Sequence, residues 1–256
     1  MTGSEAWYVY GVVPAASSGD LGEDATEVLA EGDVAALVRV VPLDEFGEEP
    51  LRANLNDRAW LERTAREHEE VVGRALAAGP VVPFRLGTIY RSDGHVRHLL
   101  RERGSSFAEI LRGLDGKVEL GVKAYFDRPR FLEAAAEGRD PVGELGSGRR
   151  YLLRRRLEQQ LAAEADAFKA EAAQASHEQL AAAAEDGRAN PPQAPELSGR
   201  SEEMLLNGAY LVRRGDERLA AALAELEGRY GEQGVSYELT GPWAPYNFVP
   251  RDLLEP

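Results

Sequence analysis

The chain has 256 residues, and 30 basic against 44 acidic side chains leave a formal charge of −14, which argues against a sequence-independent nucleic-acid binder. A hydrophobic fraction of 43% suffices for real cores, so wholesale disorder is excluded and the length corresponds to one or two domains. The lack of cysteine excludes disulfides, thiolate zinc sites, iron–sulfur ligation and cysteine nucleophiles, and no apolar run approaches the ~20 residues that cross a bilayer.

At the N-terminus, Met1–Ala6 carries no basic region or apolar signal core, so a soluble, cytosolic protein is expected. Ala6-Trp-Tyr-Val-Tyr-Gly-Val-Val13 is aromatic, β-branched and apolar on both faces, which predicts a central strand ended by Pro14. Val34–Val41, stopped by Pro42, is a second strand, and a short strand near Glu27–Ala30 makes a hairpin with it across Gly32-Asp33. Ten acids and one base, Arg39, lie between Asp20 and Pro50. A solvated rim explains them, with a basic partner surface as the sharper alternative. Leu51–Ala78 is helical, with Leu61, Ala65, His68, Val72 and Leu76 in one stripe and Gly79-Pro80 as the stop. Val81–Leu86 reads as a strand in which Pro83 argues for an edge or a bulge. Two short helices, Asp93–Arg103 and Ser105–Leu114, precede a turn at Asp115-Gly116.

Lys117–Phe126 opens a new unit as a half-buried strand, with Val118, Leu120, Val122 and Ala124 on one face and Glu119 and Lys123 on the other. A glycine-rich link (Gly143, Gly146, Gly148) leads into a long helix from about Arg149 to Glu185, about 55 Å at ~1.5 Å per residue. Its stripe is Leu153, Leu157, Leu161, Ala165, Phe168, Ala172 and Ala175. Asp186–Gly199 reads as a loop, Glu203–Val212 as a strand, Asp216–Tyr230 as a helix and Val235–Thr240 as a final strand. If the proline loop carries a further short strand, this half is β-α-β-β-α-β, the ferredoxin-like pattern. The expected fold class is therefore α+β, with two mixed domains at residues 1–115 and 116–256, the second ferredoxin-like with a long helix.

No catalytic motif is complete. Gly116-Lys117 is followed by Val118 without the upstream glycine spacing of a phosphate loop, and Gly104-Ser-Ser and Gly146-Ser-Gly miss the nucleophile elbow. Gly143–Gly148 does not closely follow a strand, against a nucleotide fingerprint. Gly148-Arg-Arg150 could hold an anion at a helix start, although a linker capped by a basic turn explains it more simply. In His68-Glu-Glu-Val-Val72 a valine replaces the second zinc ligand, so His68 is read as a core or interface imidazole with one hydrogen bond. His95 and His98 share a helical face but lack a third ligand. No enzyme, cofactor or metal site is expected. Two segments remain. Arg85 lies between apolar neighbours, where a guanidinium needs a partner, and a structural ion pair is the first reading. In Leu239–Val249, Gly241 and two prolines stiffen the chain while Trp243, Tyr246 and Phe248 either anchor a partner or fold back to cap the core.

Val81-Val-Pro-Phe-Arg-Leu-Gly-Thr88, Glu119-Leu-Gly-Val-Lys123 and Leu239-Thr-Gly-Pro-Trp-Ala-Pro-Tyr-Asn-Phe-Val249, together with Tyr8-Val-Tyr-Gly-Val-Val13, resemble the hallmarks of the gas vesicle protein F/L family. They occur in the expected order over nearly the whole chain, and Thr-Gly-Pro-Trp is the most specific part. The resemblance implies a non-enzymatic accessory protein for assembling gas vesicles, the hollow protein shells that give some prokaryotes buoyancy. It implies two α+β domains, a cytoplasmic or vesicle location, and the small hydrophobic shell protein as partner, with other accessory proteins as further candidates. No cofactor, nucleic acid or membrane comes with it. Arg85, Trp243, Tyr246 and Phe248 match its motifs and become the candidate partner-binding residues. The alternative from another class is a small-molecule-sensing ferredoxin-like regulatory module, a fold-level analogy.

Overall fold

The computed structural model describes residues 5–22, 25–139, 147–192, 200–250 and 253. Two compact units divide the chain: Met1–Glu119 with Pro242–Pro256, and Leu120–Gly241. The division near residue 116 expected from sequence differs chiefly in the terminal segment, which belongs with the first unit because its side chains bond there. The class is α+β with two antiparallel sheets, as the alternating strand and helix patterns predict.

In the first unit, β1 (Glu5–Pro14), β2 (Glu27–Glu31), β3 (Val34–Pro42) and β4 (Val82–Pro83) form a sheet in the order β2-β3-β1-β4, and β5 (Ile89–Tyr90) also pairs with β1. β1 is central, as its two apolar faces require, and buries Ala6, Tyr8, Val9, Tyr10, Val12 and Val13. It runs antiparallel to β3 from Glu5↔Pro42 to Pro14↔Val34, with a bulge between Val9 and Gly11. The strand expected over Val81–Leu86 shrinks to two residues, because Pro83 offers no N–H and the chain turns at Arg85, whose carbonyl accepts from the Thr88 N–H.

Helices α1 (Leu43–Phe46), α2 (Glu48–Asn54), α3 (Arg58–Ala78) and α4 (Asp93–Leu114) complete this unit. The single helix expected from Leu51 is two. Asp57 starts α3 afresh, its carboxylate accepting from the N–H groups of Ala59 and Trp60. α3 buries Trp60, Thr64, His68, Val71, Val72, Ala75 and Leu76, so the buried stripe is rotated from the expected one and leaves Leu61 and Ala65 half-buried. The two helices expected over Asp93–Leu114 are one. Gly104 costs about 1 kcal/mol in a helix, but Val96, Leu99, Leu100, Phe107, Leu111 and Leu114 keep one continuous buried stripe across it.

The second unit contains most of β6 (Lys117–Phe126), then α5 (Arg128–Ala136), α6 (Ser147–Ala182), β7 (Asp186–Ala189), β8 (Glu203–Arg213), α7 (Arg218–Tyr230) and most of β9 (Val235–Trp243). Its sheet order is β7-β8-β6-β9. β7 is the short strand on which the sequence pattern was conditional. α5 was not expected; Asp127 caps it by accepting from the Arg130 N–H, and Pro129 sits in its first turn. Gly143 and Gly146 of the expected link lie outside the described residues, while Gly148 is inside α6. α6 is buried through Leu161, Ala165, Ala172, Ser176 and Leu180. Phe131 and Phe168 stack at 4.8 Å between ring centroids, and Phe126 meets Phe131 edge-on. At the rim of this cluster Arg128 bonds Glu203 and Asp166, and Lys169 reaches Glu203 at 2.6 Å, which ties α5, α6 and β8 together. No described helix is long and apolar enough to cross a membrane.

Candidate functional site

The terminal segment after β9 turns into a short 3-10 helix, Tyr246–Phe248, and is held in the first unit by two sets of hydrogen bonds. The Tyr246 hydroxyl donates to Glu69 Oε1 at 3.1 Å and lies 3.1 Å from His68 Nε2. His68, on α3, is only 2% exposed, and its Nδ1 is 2.8 Å from the Tyr8 hydroxyl on β1. The Gly87 N–H in turn donates to the Tyr8 oxygen at 3.2 Å. Gly87 has φ +80°, a conformation that favours glycine, which places its amide in the turn after Arg85.

These partners fix the proton positions. Tyr246 spends its single proton on Glu69 Oε1, so its oxygen accepts from His68 Nε2–H. Nδ1 is then the acceptor, and Tyr8 donates to it. The chain of donors therefore runs from Gly87 through Tyr8 to the imidazole, and from the imidazole through Tyr246 to Glu69. Burial pushes the His68 pKa from its ordinary 6.5 down to about 4, opposed by a bond involving the Phe84 backbone. Burial likewise raises the Tyr8 and Tyr246 phenols. All three groups are neutral near pH 7. In place of the one hydrogen bond expected for His68, its two ring nitrogens bond the Tyr8 and Tyr246 hydroxyls.

Asn247 makes the second set. Its backbone N–H donates to Glu119 Oε2 at 2.9 Å and its side-chain amide to Glu119 Oε1 at 2.6 Å. Glu119 is 5% exposed, which corrects its expected place on a solvent face of β6. Ala244, Phe248 and Val249 are buried alongside. In the second unit, a Cβ on Gly121 would stand 2.6 Å from Thr240 Oγ1, so the approach of β6 and β9 leaves room for glycine alone unless Thr240 shifts.

The four candidate residues separate into two kinds. Tyr246 and Phe248 fold back into the first unit. Trp243, at the end of β9, is 44% exposed. Arg85 is also exposed and makes no ion pair among the described residues, because burial ends at Phe84 and the chain surfaces one residue later. The expected structural ion pair at Arg85 is therefore absent there. His68 was visible in the sequence as a histidine on an apolar stripe, whereas Tyr8, Glu69, Glu119 and Asn247 gave no signal of their own.

Other polar groups do not converge on a reaction. His95 Nδ1 is 2.7 Å from Ser92 Oγ, His98 pairs with Glu102, and His177 Nδ1 bonds the Tyr210 hydroxyl. Among the described residues no three metal-ligating side chains cluster. A groove of about 460 Å³ in the first unit is lined by Pro14, Ser17, Asp33, Pro80, Arg112 and Asp115 among others.

Comparison with known proteins places this arrangement. Residues 6–250 match the family described as gas vesicle synthesis protein GvpL/GvpF. Gas vesicle protein L of Streptomyces sp. (strain CB03234) is 38% identical over 244 residues, covering 93% of this chain and 88% of that protein. Gas vesicle protein F of the same strain is 29% identical over 257 residues, covering 94% and 98%. The crystal structure of the gas vesicle protein GvpF from Anabaena sp. PCC7120 shares the fold at a TM-score of 0.65 and 20% identity, covering 96% of each chain.

Proposed function

The chain belongs to the gas vesicle synthesis protein GvpL/GvpF family, and from that premise we propose that it serves gas vesicle assembly by contact and without catalysis, covering the small hydrophobic shell protein until it is built into the shell. The observation that carries this reading is Trp243. It is a large, exposed ring on a segment whose following residues are fixed by His68, Glu69 and Glu119. An aromatic on a backbone that is already ordered loses little entropy on binding, which is the property of an interface anchor. Arg85 adds an exposed guanidinium fork. The charge of −14 keeps a complex with an apolar subunit dispersed.

The same reading puts the protein in the cytoplasm or at the vesicle, with other accessory proteins as further partners. It takes the second unit as ferredoxin-like, supported by the order β6-α5-α6-β7-β8-α7-β9 and the sheet order β7-β8-β6-β9. The test is light scattering by purified shell protein. The intact chain should slow aggregation, and Trp243→Ala should weaken that effect while remaining folded by circular dichroism. Equal aggregation with and without the chain removes the mechanism. A saturable thermal shift with nucleotides, amino acids or phosphate would favour a sensing module instead.

A further inference from the structure

Residues 151–160 of α6 lie outside the core of the second unit. From 151 on, Leu161 is the first side chain to be buried; Leu153 and Leu157 are half-buried, and the others between 151 and 160 are exposed. α5 flanks one side only, where Glu133, Ala136 and Glu137 meet Arg154, Leu157 and Glu158 in a groove. At ~100° per residue, Tyr151, Leu152, Arg155, Arg156 and Gln159 fall together on the side away from the buried stripe.

Two independent excesses coincide there. Tyr151 and Leu152 are 62% and 66% exposed, more than Leu55, Leu239 or Trp243. Arg155 and Arg156 are exposed and make no ion pair among the described residues. Elsewhere in this unit Arg128, Arg139, Arg200, Arg213 and Arg218 all stand against carboxylates. Exposed Ala162 and Ala163 continue the face and let another backbone approach.

We infer that this face of α6 docks an acidic partner helix with an apolar seam, separately from the Trp243 segment. The apolar pair needs a dry contact, and the arginines need carboxylates to replace their water. Charge selects the class of partner. A chain of −14 repels an acidic protein over most of its surface, so an uncompensated cationic face is where such a partner is steered. A nucleic-acid duplex or an anionic bilayer presents charge over a width greater than this face. Beyond a Debye length of ~8 Å it would meet the carboxylates of the second unit, itself net acidic, whereas a helix about 10 Å across does not.

The test uses the full chain and a labelled synthetic 21-residue helical peptide, with leucine at heptad a and d positions and glutamate beside them, followed by fluorescence anisotropy. Saturable binding is expected. Arg155→Glu with Arg156→Glu, and separately Leu152→Ser, should weaken it by at least about tenfold, as should raising salt from ~0.05 to ~0.3 M. Circular dichroism should show these surface variants folded, and Trp243→Ala should leave the peptide affinity unchanged. The inference is overturned if the acidic peptide does not bind, if a lysine-for-glutamate peptide binds as well, or if charge reversal changes nothing. It is equally overturned if duplex DNA or phosphatidylserine vesicles bind this face more tightly than the peptide. Self-association in the ultracentrifuge that Arg155→Glu abolishes would assign the face to a second copy of the chain.

Discussion

Tyr246→Phe tests whether the terminal segment is held by the directed hydrogen-bond chain or only by packing. The substitution keeps the ring and removes the oxygen that accepts from His68 Nε2–H at 3.1 Å. Glu69 is exposed and can return to water, so its loss of a donor costs little. His68 is 2% exposed and cannot. Moving its proton to Nδ1 would make Tyr8 accept from both His68 and Gly87, and the Phe84 backbone beside the imidazole takes up only part of the loss. A buried donor left poorly partnered costs about 1–3 kcal/mol. For a chain of this size ~1 kcal/mol lowers Tm by ~2–4 °C, so a fall of about 2–12 °C is expected. Amide exchange at Asn247, whose N–H is bonded to Glu119, should accelerate at the same time. Repeating the substitution in a His68→Leu background removes the orphaned donor, and there Tyr246→Phe should cost less than ~0.5 kcal/mol. An unchanged Tm, or the same loss in both backgrounds, would refute the reasoning.

Three further outcomes follow from the same geometry. His68 has its folded pKa depressed to about 4 from 6.5, so the unfolded chain binds the extra proton between those values. Stability is then full above pH 6.5 and is lost as pH falls toward 4, by about 3 kcal/mol in all at ~1.4 kcal/mol per unit. Urea midpoints at pH 7 and pH 5 should differ in the parent and converge in His68→Leu. Gly121→Ala pushes a methyl against Thr240 Oγ1 and should destabilise by about 1–3 kcal/mol. Adding Thr240→Ala should recover part of that in thermal melts, and no recovery would mean the strain lies in the backbone. Glu203 is held at a pKa of about 2, first by the Arg128 hydrogen bond and also by Lys169, so its contribution is present above its ordinary 4.5 and lost as pH falls toward 2. Its side chain is 36% exposed, and after allowing for solvent screening Glu203→Gln should cost only about 1 kcal/mol in chemical denaturation.

What could be read in the sequence was what period and punctuation encode. β1, β3, β6 and β8 follow from apolar and β-branched runs, and α3, α4, α6 and α7 from three- and four-residue spacing. The errors have local physical causes. Asp57 and Asp127 are helix caps, and neither was read as one, so α2 was fused to α3 and α5 was missed. The two helices expected on either side of Gly104 are one, because the buried stripe runs across it. The site was less legible because its bonds join distant positions. His68 and Tyr246 are 178 residues apart, and Glu119 and Asn247 are 128 apart. Alternation placed Glu119 outward, whereas Asn247, which bonds both of its carboxylate oxygens, comes from the far end of the chain.

The segments that carry the family resemblance touch one another, and this bears on what each of them does. Gly87, from Val81–Thr88, donates to Tyr8 on β1; Tyr8 reaches Tyr246 through His68; Asn247 grips Glu119 of the β6 motif. Within the second unit, Gly121 of the β6 motif makes room for Thr240 of the terminal motif. Tyr8, Gly87, Glu119, Tyr246 and Asn247, at least, therefore serve to fix where the terminal segment lies. Trp243 and Arg85 are exposed members of the same motifs. Under the proposed function the two groups have separable consequences. Trp243→Ala should reduce partner affinity by more than any fall in melting temperature accounts for. Tyr246→Phe should lower the melting temperature and also reduce affinity, because a loosened segment must be ordered again on binding, at ~0.5–1.5 kcal/mol per side chain immobilised. If Tyr246→Phe lowered stability with affinity untouched, the partner would have to bind elsewhere, and the bonded terminal segment would be part of the fold alone.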